Sequence, residues 1–524
     1  MDVNNSFLKA AYQQVRQLPL SVQIIALLLT VIVAYAIVAY ATRQRPYPQF
    51  PVIDLKKEEG LGPMISWFKR GEKVIAKGRK TTNGTFQVIT GTGPKLLVPN
   101  RFAHELRNNE ALNFQEATAT EFFPTWPGFE AFRAGLHSDN IITEVVRVKL
   151  TQSLNLVTED LVDETDDSSR LIFPPSKEWN NVKFKQAVLE MVARLSSRVF
   201  LGQELCRNQR WLEIAKDYTV DSFVAAMKLR FTPVPLRPLG LLVYKECWAI
   251  RKEYADATKL ITKEVEMRKE RVQKALDAGQ KPPKTADTIG WMHEICQRKG
   301  TKTDLVAAQL SLSLAAIHTT TESLLYLLMD ICKHPEVVKP LREEMVSVLR
   351  ENGWSKTTLY KMKLVDSFLK ESQRINTLSD YTMSRACERD IELSDGTVLP
   401  KGSRINVLTA FMDPEIYEDP HMFKADRFLQ KRAVAGQENG WQHVTTSPEH
   451  LGFGHGQHAC PGRFFATNEL KIALCFMLLR YDFKLSNFGG DQSSFEGRRI
   501  IPQDFELQYK SREPELDLMS LSFV

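Results

Sequence analysis

The chain has 524 residues, of which 43% are hydrophobic and 25% are charged. These are ordinary values for a globular protein, and they exclude a wholly disordered or collagen-like chain. The formal net charge of +6 is small for this length, so we expect no nucleic acid as a partner. Seven cysteines with no C-x-x-C pair argue against a disulfide framework and favour a reducing compartment.

The first predicted element is an apolar helix at residues 20–41, after a short tail at residues 1–19. Such a helix extends about 33 Å, enough to cross the hydrocarbon core of a bilayer. The alternative is a cleaved signal peptide, because Ala39-Tyr40-Ala41 resembles a cleavage site, but signal peptides have shorter apolar stretches of about 7–15 residues. More basic residues follow the helix than precede it, which predicts that the C-terminal part is cytoplasmic. The basic residues are Lys9 and Arg16 before the helix and Arg43, Arg45, Lys56 and Lys57 after it.

A proline-rich segment follows at residues 42–52. Its three prolines cannot continue a helix and predict a stiff hinge. The remaining residues, 53–524, are predicted to form the main domain. Short β-like runs at residues 86–89 and 96–98 are broken by glycine and proline, whereas periodic apolar positions predict helices from about 140 to 380.

Two of the predicted helices differ in their surroundings. The stretch 245–278 is dense in Lys, Glu and Arg, which is typical of a solvated helix. The stretch from about 303 to 333 is apolar nearly all round until His334-Pro335 stops it, so we expect it to be buried. Short strands and turns follow, then a long loop and a last helix near 463–480. The fold class is therefore mainly α with a smaller β-rich part.

The most informative segment is the glycine-rich loop before that last helix, residues 452–462, which contains Cys460. Its glycines permit backbone conformations closed to other residues and allow a planar cofactor to come close. A cysteine just before a helix start lies where free N–H groups and the helix dipole favour a thiolate. His458 could donate to an acidic group of the cofactor. A thiolate bound to haem iron favours O–O cleavage.

Two other interpretations of this loop stay open on these residues alone. Residues 454–459 match G-x-G-x-x-A, a dinucleotide-binding fingerprint, which needs a βαβ unit and an acidic residue ~20 residues on, whereas one helix is predicted to follow. A lone cysteine is also often merely buried.

Several segments in consecutive order resemble motifs of the cytochrome P450 family. The pattern Phe453-x-x-Gly456-x-x-x-Cys460-x-Gly462 is similar to its haem-binding signature, which is among the more specific motifs known. Three more segments resemble, in chain order, the oxygen-activation segment, the E-x-x-R motif and the P-E-R-F loop: Ala315–Thr320, Glu371–Arg374 and Ala425–Phe428. With the apolar helix and the hinge, the resemblance covers essentially the whole chain.

The resemblance implies a cytochrome P450 fold preceded by a single transmembrane helix, with haem b as cofactor and residues 53–524 as the haem domain. Cys460 would be the axial iron ligand, in the signature that Phe453 and Gly456 also define. Arg385 and His458 match the family's partners of the two haem propionates.

Two further motifs have residues that depart from the family pattern. The family's W-x-x-x-R helix pair is not evident, and the best register puts Lys149 in the place of its arginine, where it could still donate to a propionate. In the loop motif, Asp426 replaces the usual Glu, which should matter little because Arg427 is the residue carried over. Glu371 and Arg374 share one helix face, and the resemblance implies that they join Arg427 in an ionic network under the haem.

The long buried helix carries the residues expected to handle protons. Thr319 matches the family's oxygen-activating threonine, and the alternative is that its hydroxyl only bonds back to the helix. His318 stands where an Asp or Glu is more usual, and we expect it to pass protons, unless it packs in the core or lines the pocket.

The resemblance extends to a subgroup through His318–Thr320, residues 206–209 and residues 460–466, which look like filamentous-fungal members such as the gibberellin-pathway diterpene oxidases. It implies a monooxygenase that hydroxylates or multiply oxidises a small apolar secondary metabolite, a terpenoid. Electrons would come from NADPH through a separate NADPH-cytochrome P450 reductase, with cytochrome b5 as a second donor. The anchor implies membrane lipid as a partner and a single-pass protein of the endoplasmic reticulum.

Two other functional classes stay open. One is a haem-thiolate enzyme that performs rearrangement, dehydration or oxidative coupling of a polyketide or alkaloid, which Thr319 disfavours. The other is a non-catalytic membrane haem protein.

Overall fold

The computed structural model describes residues 19–41, 44–281, 286–487, 493–501 and 506–523. The predicted tail at residues 1–19, apart from its last residue, lies outside the described residues. So do the start of the predicted hinge, at residues 42–43, and three of the basic residues behind the predicted orientation, Lys9, Arg16 and Arg43.

The first described helix, α1, is Leu20–Ala41. Among the residues that the structure describes, its segment Leu20–Val38 is the one stretch long and apolar enough to cross a membrane, and none of it is buried inside the protein. The prediction of one N-terminal apolar helix is confirmed. Apolar side chains without a protein core around them are stabilised by another apolar medium.

The side chain of Gln87 holds the hinge against the main domain. Its amide donates to the carbonyl oxygens of Tyr47 and Phe50 at 2.7 and 2.6 Å, and its side-chain oxygen accepts from the Tyr47 N–H at 3.0 Å. Phe50 is buried among apolar residues of the main domain. The chain is therefore fixed to the domain from Tyr47 onward, only a few residues after α1.

Helices form most of the main domain, as the sequence predicted. Those of nine or more residues are α2 Pro63–Thr81, α3 Phe114–Phe122, α4 Leu154–Ile172, α5 Phe184–Leu201, α6 Gln209–Phe231, α7 Lys245–Asp277, α8 Thr288–Lys299, α9 Leu305–Lys333, α10 Val338–Asn352, α11 Lys363–Ile375 and α12 Arg463–Arg480. Shorter α-helical segments are Lys56–Glu59, Ala103–Leu106, Glu130–Gly135, Ile141–Glu144, Gln203–Cys206, Arg237–Val243, Lys356–Lys361 and Arg427–Arg432. A π-helical turn, Val145–Leu150, precedes α4, and 3₁₀ turns are Asn100–Phe102, Val234–Leu236, Pro335–Val337 and Gly456–His458.

Within the described residues, the smaller β-rich part consists of four small sheets. A five-stranded sheet has the order β1-β2-β8-β5-β3, a three-stranded sheet has the order β4-β12-β9, and β6-β7 and β10-β11 are hairpins. Within the large sheet β2 and β8 run parallel and the other pairs are antiparallel. The strands are β1 Phe86–Thr90, β2 Gly93–Val98, β3 Leu112–Asn113, β4 Asn180–Lys183, β5 Tyr381–Cys387, β6 Ile391–Glu392, β7 Val398–Leu399, β8 Arg404–Leu408, β9 Tyr481–Asn487, β10 Ser493–Phe495, β11 Arg498–Ile500 and β12 Glu506–Ser511.

The long helix α9 passes through the centre of the helical part. Its N-terminus is capped by Asp304, whose carboxylate accepts from the Ala307 N–H at 3.0 Å, and it ends at His334 before Pro335, as predicted. Most of its side chains are buried against α5, α6, α11 and α12. Each fully buried Leu or Ile stabilises this packing by about 1.5–3 kcal/mol. Two positions break the pattern, because Ala315 and Thr319 are exposed in the middle of the helix.

The surface helix α7 is only half solvated. The prediction of a charged, solvent-facing helix holds for its outer face, but its inner face buries Ile250, Ala257 and Ile261 together with Glu246, Glu253 and Glu264. Long charged side chains can lie along apolar surface, so charge density alone did not reveal this inner face.

Candidate active site

The loop before α12 is shaped by its glycines. Gly454 and Gly456 have φ angles of +69° and +80°, a region that other residues rarely adopt. A Cβ atom at Gly456 would lie 2.5 Å from the carbonyl oxygen of Arg107. The loop closes where the Cys460 N–H donates to the carbonyl oxygen of Phe453 at 2.8 Å. The two signature residues Phe453 and Gly456 therefore fix the position of Cys460.

The sulfur of Cys460 lies next to the first turn of α12. Burial raises the pKa of the thiol, while the backbone N–H groups of Gly462 and Arg463 lower it by favouring the thiolate. The Arg463 guanidinium, which donates to the Cys460 carbonyl oxygen at 2.9 Å, acts in the same direction. The residue as a whole is half-buried. This is the environment in which a metal-binding thiolate is stabilised.

A buried arginine stands in the sheet near this loop. Arg385, on β5, is only 3% exposed, and its guanidinium donates to the neighbouring Ser384 carbonyl oxygen at 2.7 Å. Burial lowers its pKa to about 10, and within the described ranges of the chain no carboxylate pairs with it. A buried charge without a counter-ion is costly, so the position favours an anionic ligand.

His458 lies next to Arg385 and Arg147, and we call these three residues the cationic corner. Its ring lies 5.4 Å from that of Phe114, and the Arg385 guanidinium lies 5.5 Å from the same ring. Burial, Arg385 and Arg147 together lower the pKa of His458 to about 4. The structure thus brings together the two residues predicted to hold the propionates, and it adds Arg147.

Lys149, the predicted substitute for the missing arginine, is directed elsewhere. Its Nζ lies 2.5 Å from Oε1 of the exposed Glu294 on α8. Arg147, two residues earlier, instead donates to the carbonyl oxygen of Gln457 at 2.7 Å, next to His458. Positions two apart on a helical turn point to nearly opposite sides, so only one of them can face the loop.

Arg147, and not Lys149, therefore lies beside His458, the predicted propionate partner. The sequence contained a signal for Arg147, because Thr143-x-x-x-Arg147 has the spacing of the family's W-x-x-x-R pair, with threonine in place of the tryptophan. The register that puts Lys149 in the place of the arginine lies two residues later.

The exposed positions on α9 lie on one face, since residues four apart in a helix are neighbours. The Thr319 hydroxyl donates to the Ala315 carbonyl oxygen at 2.7 Å, the back-bonded state considered as its alternative. The residue is nevertheless exposed, so its oxygen can still accept a hydrogen bond from a group beside the helix.

His318 is turned toward another helix. Its Nε2 lies 2.9 Å from the carbonyl oxygen of Lys216 on α6, and because a carbonyl only accepts, Nε2 carries the proton. Burial lowers the pKa of the ring, and Lys185 acts in the same direction. The lowered pKa favours the neutral ring, in which Nδ1 is the nitrogen able to accept a proton.

The predicted ionic network is formed by three side chains. Glu371 and Arg374 are fully buried and joined by two hydrogen bonds of 2.8 Å, and Nε of Arg427 lies 3.1 Å from both Glu371 oxygens. The remaining guanidinium hydrogens are donated to backbone carbonyl oxygens of the loop at residues 411–422. Removing one partner of such a buried group typically costs 3–5 kcal/mol.

These residues fit haem as the cofactor. The first reason is the Cys460 sulfur, which has backbone N–H groups beside it that favour a thiolate ligand. The second reason is the buried Arg385 guanidinium, which has no acidic partner among the described residues and lies beside the His458 imidazole and the Arg147 guanidinium. An acidic planar group would supply the missing negative charge.

Comparison with known proteins also identifies a haem protein family. The family model for Cytochrome P450 matches residues 145–509. Cytochrome P450 monooxygenase bsc2 of Alternaria brassicicola is 41% identical over 503 residues, covering 95% of this chain and 95% of that protein. Cytochrome P450 monooxygenase 1 of Gibberella fujikuroi is 41% identical over 401 residues, covering 76% of this chain and 91% of that protein.

A solved structure shows the same fold. The structure of retinoic acid bound cyanobacterial CYP120A1 matches with a TM-score of 0.65 and 16% identity, covering 89% of this chain and all of that one (100%). At this identity the likeness concerns the fold alone.

We predict that Arg147 and Lys149 differ in their effect on haem retention. Arg147→Ala should weaken haem binding about tenfold, because a charge-assisted hydrogen bond is lost, whereas Lys149→Ala should retain haem at the wild-type level. The haem-to-protein ratio after dialysis against apomyoglobin, a haem acceptor, measures this. Equal haem loss in the two variants would contradict the assignment.

Proposed function

Because the chain belongs to the cytochrome P450 family, we propose that this monooxygenase oxidises a small apolar fungal secondary metabolite, a terpenoid, with electrons from NADPH-cytochrome P450 reductase. Family membership implies haem held through a cysteine thiolate. The observation that carries the proposal is Cys460, placed by the glycine loop at the start of α12 with two N–H groups at its sulfur.

The substrate class rests on the fungal relatives and on the resemblance to diterpene oxidases. Bound at Cys460, haem supplies the reductive activation of O₂ and the transfer of one oxygen atom into a C–H bond. The protein's part is to hold the thiolate, to neutralise the two propionates, and to deliver protons in a space from which bulk water is excluded. We assign the propionates to Arg385, His458 and Arg147.

Proton delivery falls to α9. With its own proton donated to Ala315, the Thr319 oxygen can accept a hydrogen bond from a water molecule and orient it beside the helix. His318 holds one proton on Nε2 toward Lys216, so protons would pass through Nδ1.

Membrane attachment has support from a second surface. The segment Val234–Val243 is a short apolar stretch, and five of its large apolar side chains are exposed: Val234, Leu236, Leu239, Leu242 and Val243. Helix α1 contacts its first turn, Val234–Leu236. Two apolar surfaces side by side fit one lipid bilayer. We therefore propose a single-pass protein of the endoplasmic reticulum with a cytoplasmic main domain.

The first prediction from the proposed function concerns the iron ligand. Cys460→Ser should abolish the red-shifted Soret band that a thiolate gives the reduced carbon-monoxide complex, because a serine oxygen does not donate charge as sulfur does. Cys296→Ser, at a half-buried cysteine on α8, is the matched control and should keep the band. Microsomes with added reductase, NADPH and a terpenoid panel should show product in the control but not in Cys460→Ser. A band retained in Cys460→Ser would end the assignment.

The second prediction separates proton delivery from packing. Thr319→Ala should keep haem but divert NADPH electrons to hydrogen peroxide, while Thr319→Ser should stay coupled. His318→Gln retains a donor for the Lys216 carbonyl but cannot pass a proton, so both His318→Gln and His318→Ala should slow product formation, within the ~10²–10⁴-fold range of acid–base assistance. Product and NADPH consumption are measured together. Wild-type turnover in His318→Gln would show that the histidine only joins the two helices.

The third prediction concerns the membrane. Deleting residues 1–43 leaves the hinge that Gln87 holds, so haem binding should survive while much of the protein moves to the soluble fraction. Adding Leu239→Ser and Leu242→Ser should release the remainder, because two exposed apolar side chains are removed from lipid. Fractionation of microsomes measures this. A glycan on the exposed Asn83, in the sequon Asn83-Gly84-Thr85, would show a lumenal domain instead.

A further inference from the structure

A strongly exposed tryptophan lies beside the apolar segment Val234–Val243. Trp248, in the first turn of α7, is 54% exposed, although tryptophan side chains usually bury a large apolar area. Its Nε1 donates to the carbonyl oxygen of Leu242 at 2.9 Å, which holds the indole against the end of the segment. Leu242 and Val243 are themselves exposed there. The tryptophan therefore extends the apolar surface that follows α6.

Positively charged side chains surround this indole. The Arg251 guanidinium lies over the ring, 4.8 Å from its centroid, and donates to the carbonyl oxygen of Leu241. Lys245 and Lys252 are exposed, three residues before and four residues after Trp248. This spacing places the two lysines and the tryptophan on one face of α7. An aromatic ring with cations on both sides thus forms a rim of the apolar surface.

The charge of this rim is not compensated by the protein itself. None of the ion pairs among the described residues includes Lys245, Arg251 or Lys252. The acidic residues that directly follow the two lysines in the sequence, Glu246 and Glu253, are buried on the inner face of α7. The rim therefore presents net positive charge to an external partner.

The position of α1 indicates which partner this surface meets. Helix α1 contacts the turn Val234–Leu236, at the start of the same apolar segment, so a bilayer around α1 comes close to the segment and to Trp248. Tryptophan prefers the boundary between lipid headgroups and acyl chains, because its ring is apolar and its N–H is polar. Lysine and arginine at this depth are attracted to anionic lipids. An apolar stretch bordered by tryptophan and cations is the pattern of a surface that lies in this boundary.

We propose that Trp248, with Lys245, Arg251 and Lys252, docks the main domain on the headgroup region of an anionic bilayer. This rests on the proposed function and deepens its membrane attachment, because it names the lipid chemistry and the side chains that recognise it. The indole enters the boundary to a depth of about 5–10 Å, and the cations lie at the lipid phosphates and carboxylates. Helix α1 and its hinge hold the domain at one point, about which it could rotate. This second contact stops the rotation and keeps the same side of the domain toward the lipid.

Tryptophan fluorescence tests the proposal, because residues 1–41 contain no tryptophan and the signal comes from the main domain. Haem-loaded full-length protein is placed in vesicles of phosphatidylcholine, alone or mixed with phosphatidylserine, in which bromine near the headgroups or at the chain ends acts as a quencher. The Trp248 signal is the difference between wild type and Trp248→Phe. Trp179→Phe is the matched control, because Trp179 is also partly exposed but lies next to the three-stranded sheet. Its ring centroid is 4.3 and 5.3 Å from Nζ of Lys484 and Lys510.

We expect bromine near the headgroups to quench the Trp248 signal, about twofold more strongly with phosphatidylserine than without, and to leave the Trp179 signal unchanged. Lys245→Gln combined with Lys252→Gln should remove the effect of phosphatidylserine, because each cation near an anionic surface strengthens binding about fivefold. Lys484→Gln combined with Lys510→Gln should keep it.

The proposal is overturned if bromine quenches Trp248 no more than Trp179, if phosphatidylserine makes no difference, or if the Lys245 and Lys252 double variant keeps the wild-type effect. A Trp248 signal that changes only when the reductase is added would also overturn it, by placing a protein partner on this surface. Flotation with the vesicles reports membrane attachment, and the carbon-monoxide spectrum reports haem–thiolate binding. Protein that floats with an intact spectrum but leaves Trp248 in water therefore refutes this proposal and not the proposed function.

Discussion

A single buried carboxylate, Glu371, organises the region beneath the active site. It is enclosed by Arg374 from its own helix and by Arg427 from a distant loop, and the excess positive charge of the pair is spread over backbone carbonyl oxygens of residues 411–422. This fixes the long irregular segment that leads to the Cys460 loop against α11. Because α11 leads directly into the strand that carries Arg385, one ionic contact sets the ligand loop and the cationic corner relative to each other.

The active site buries positive charge without a carboxylate among the described residues to compensate it. Arg385 is a buried guanidinium that lacks a carboxylate partner within the ranges that the structure describes. In a folded protein such a group is stabilised by a ligand of opposite charge. Its position matches the acidic cofactor of the family. The helix α9 is apolar and buried except at the exposed Ala315 and Thr319.

Much of this was readable in the sequence because it depends on neighbours along the chain. The limits of α9 follow from a capping Asp304 and a terminating Pro335, and the glycine loop before α12 follows from positive φ angles that Gly454 and Gly456 supply. The three-residue spacing of Glu371 and Arg374 places both on one face, whatever the rest of the protein does. These features belong to local backbone geometry.

The sequence by itself determined the mainly helical fold, the apolar N-terminal helix and the thiolate candidate Cys460. The tertiary structure decided which of two nearby cations, Arg147 or Lys149, turns to the loop, since helix rotation depends on packing against α8. It also joined His318 to a carbonyl on α6. These outcomes depend on pairs of residues far apart in the chain, and no local pattern encodes which distant group a side chain will meet.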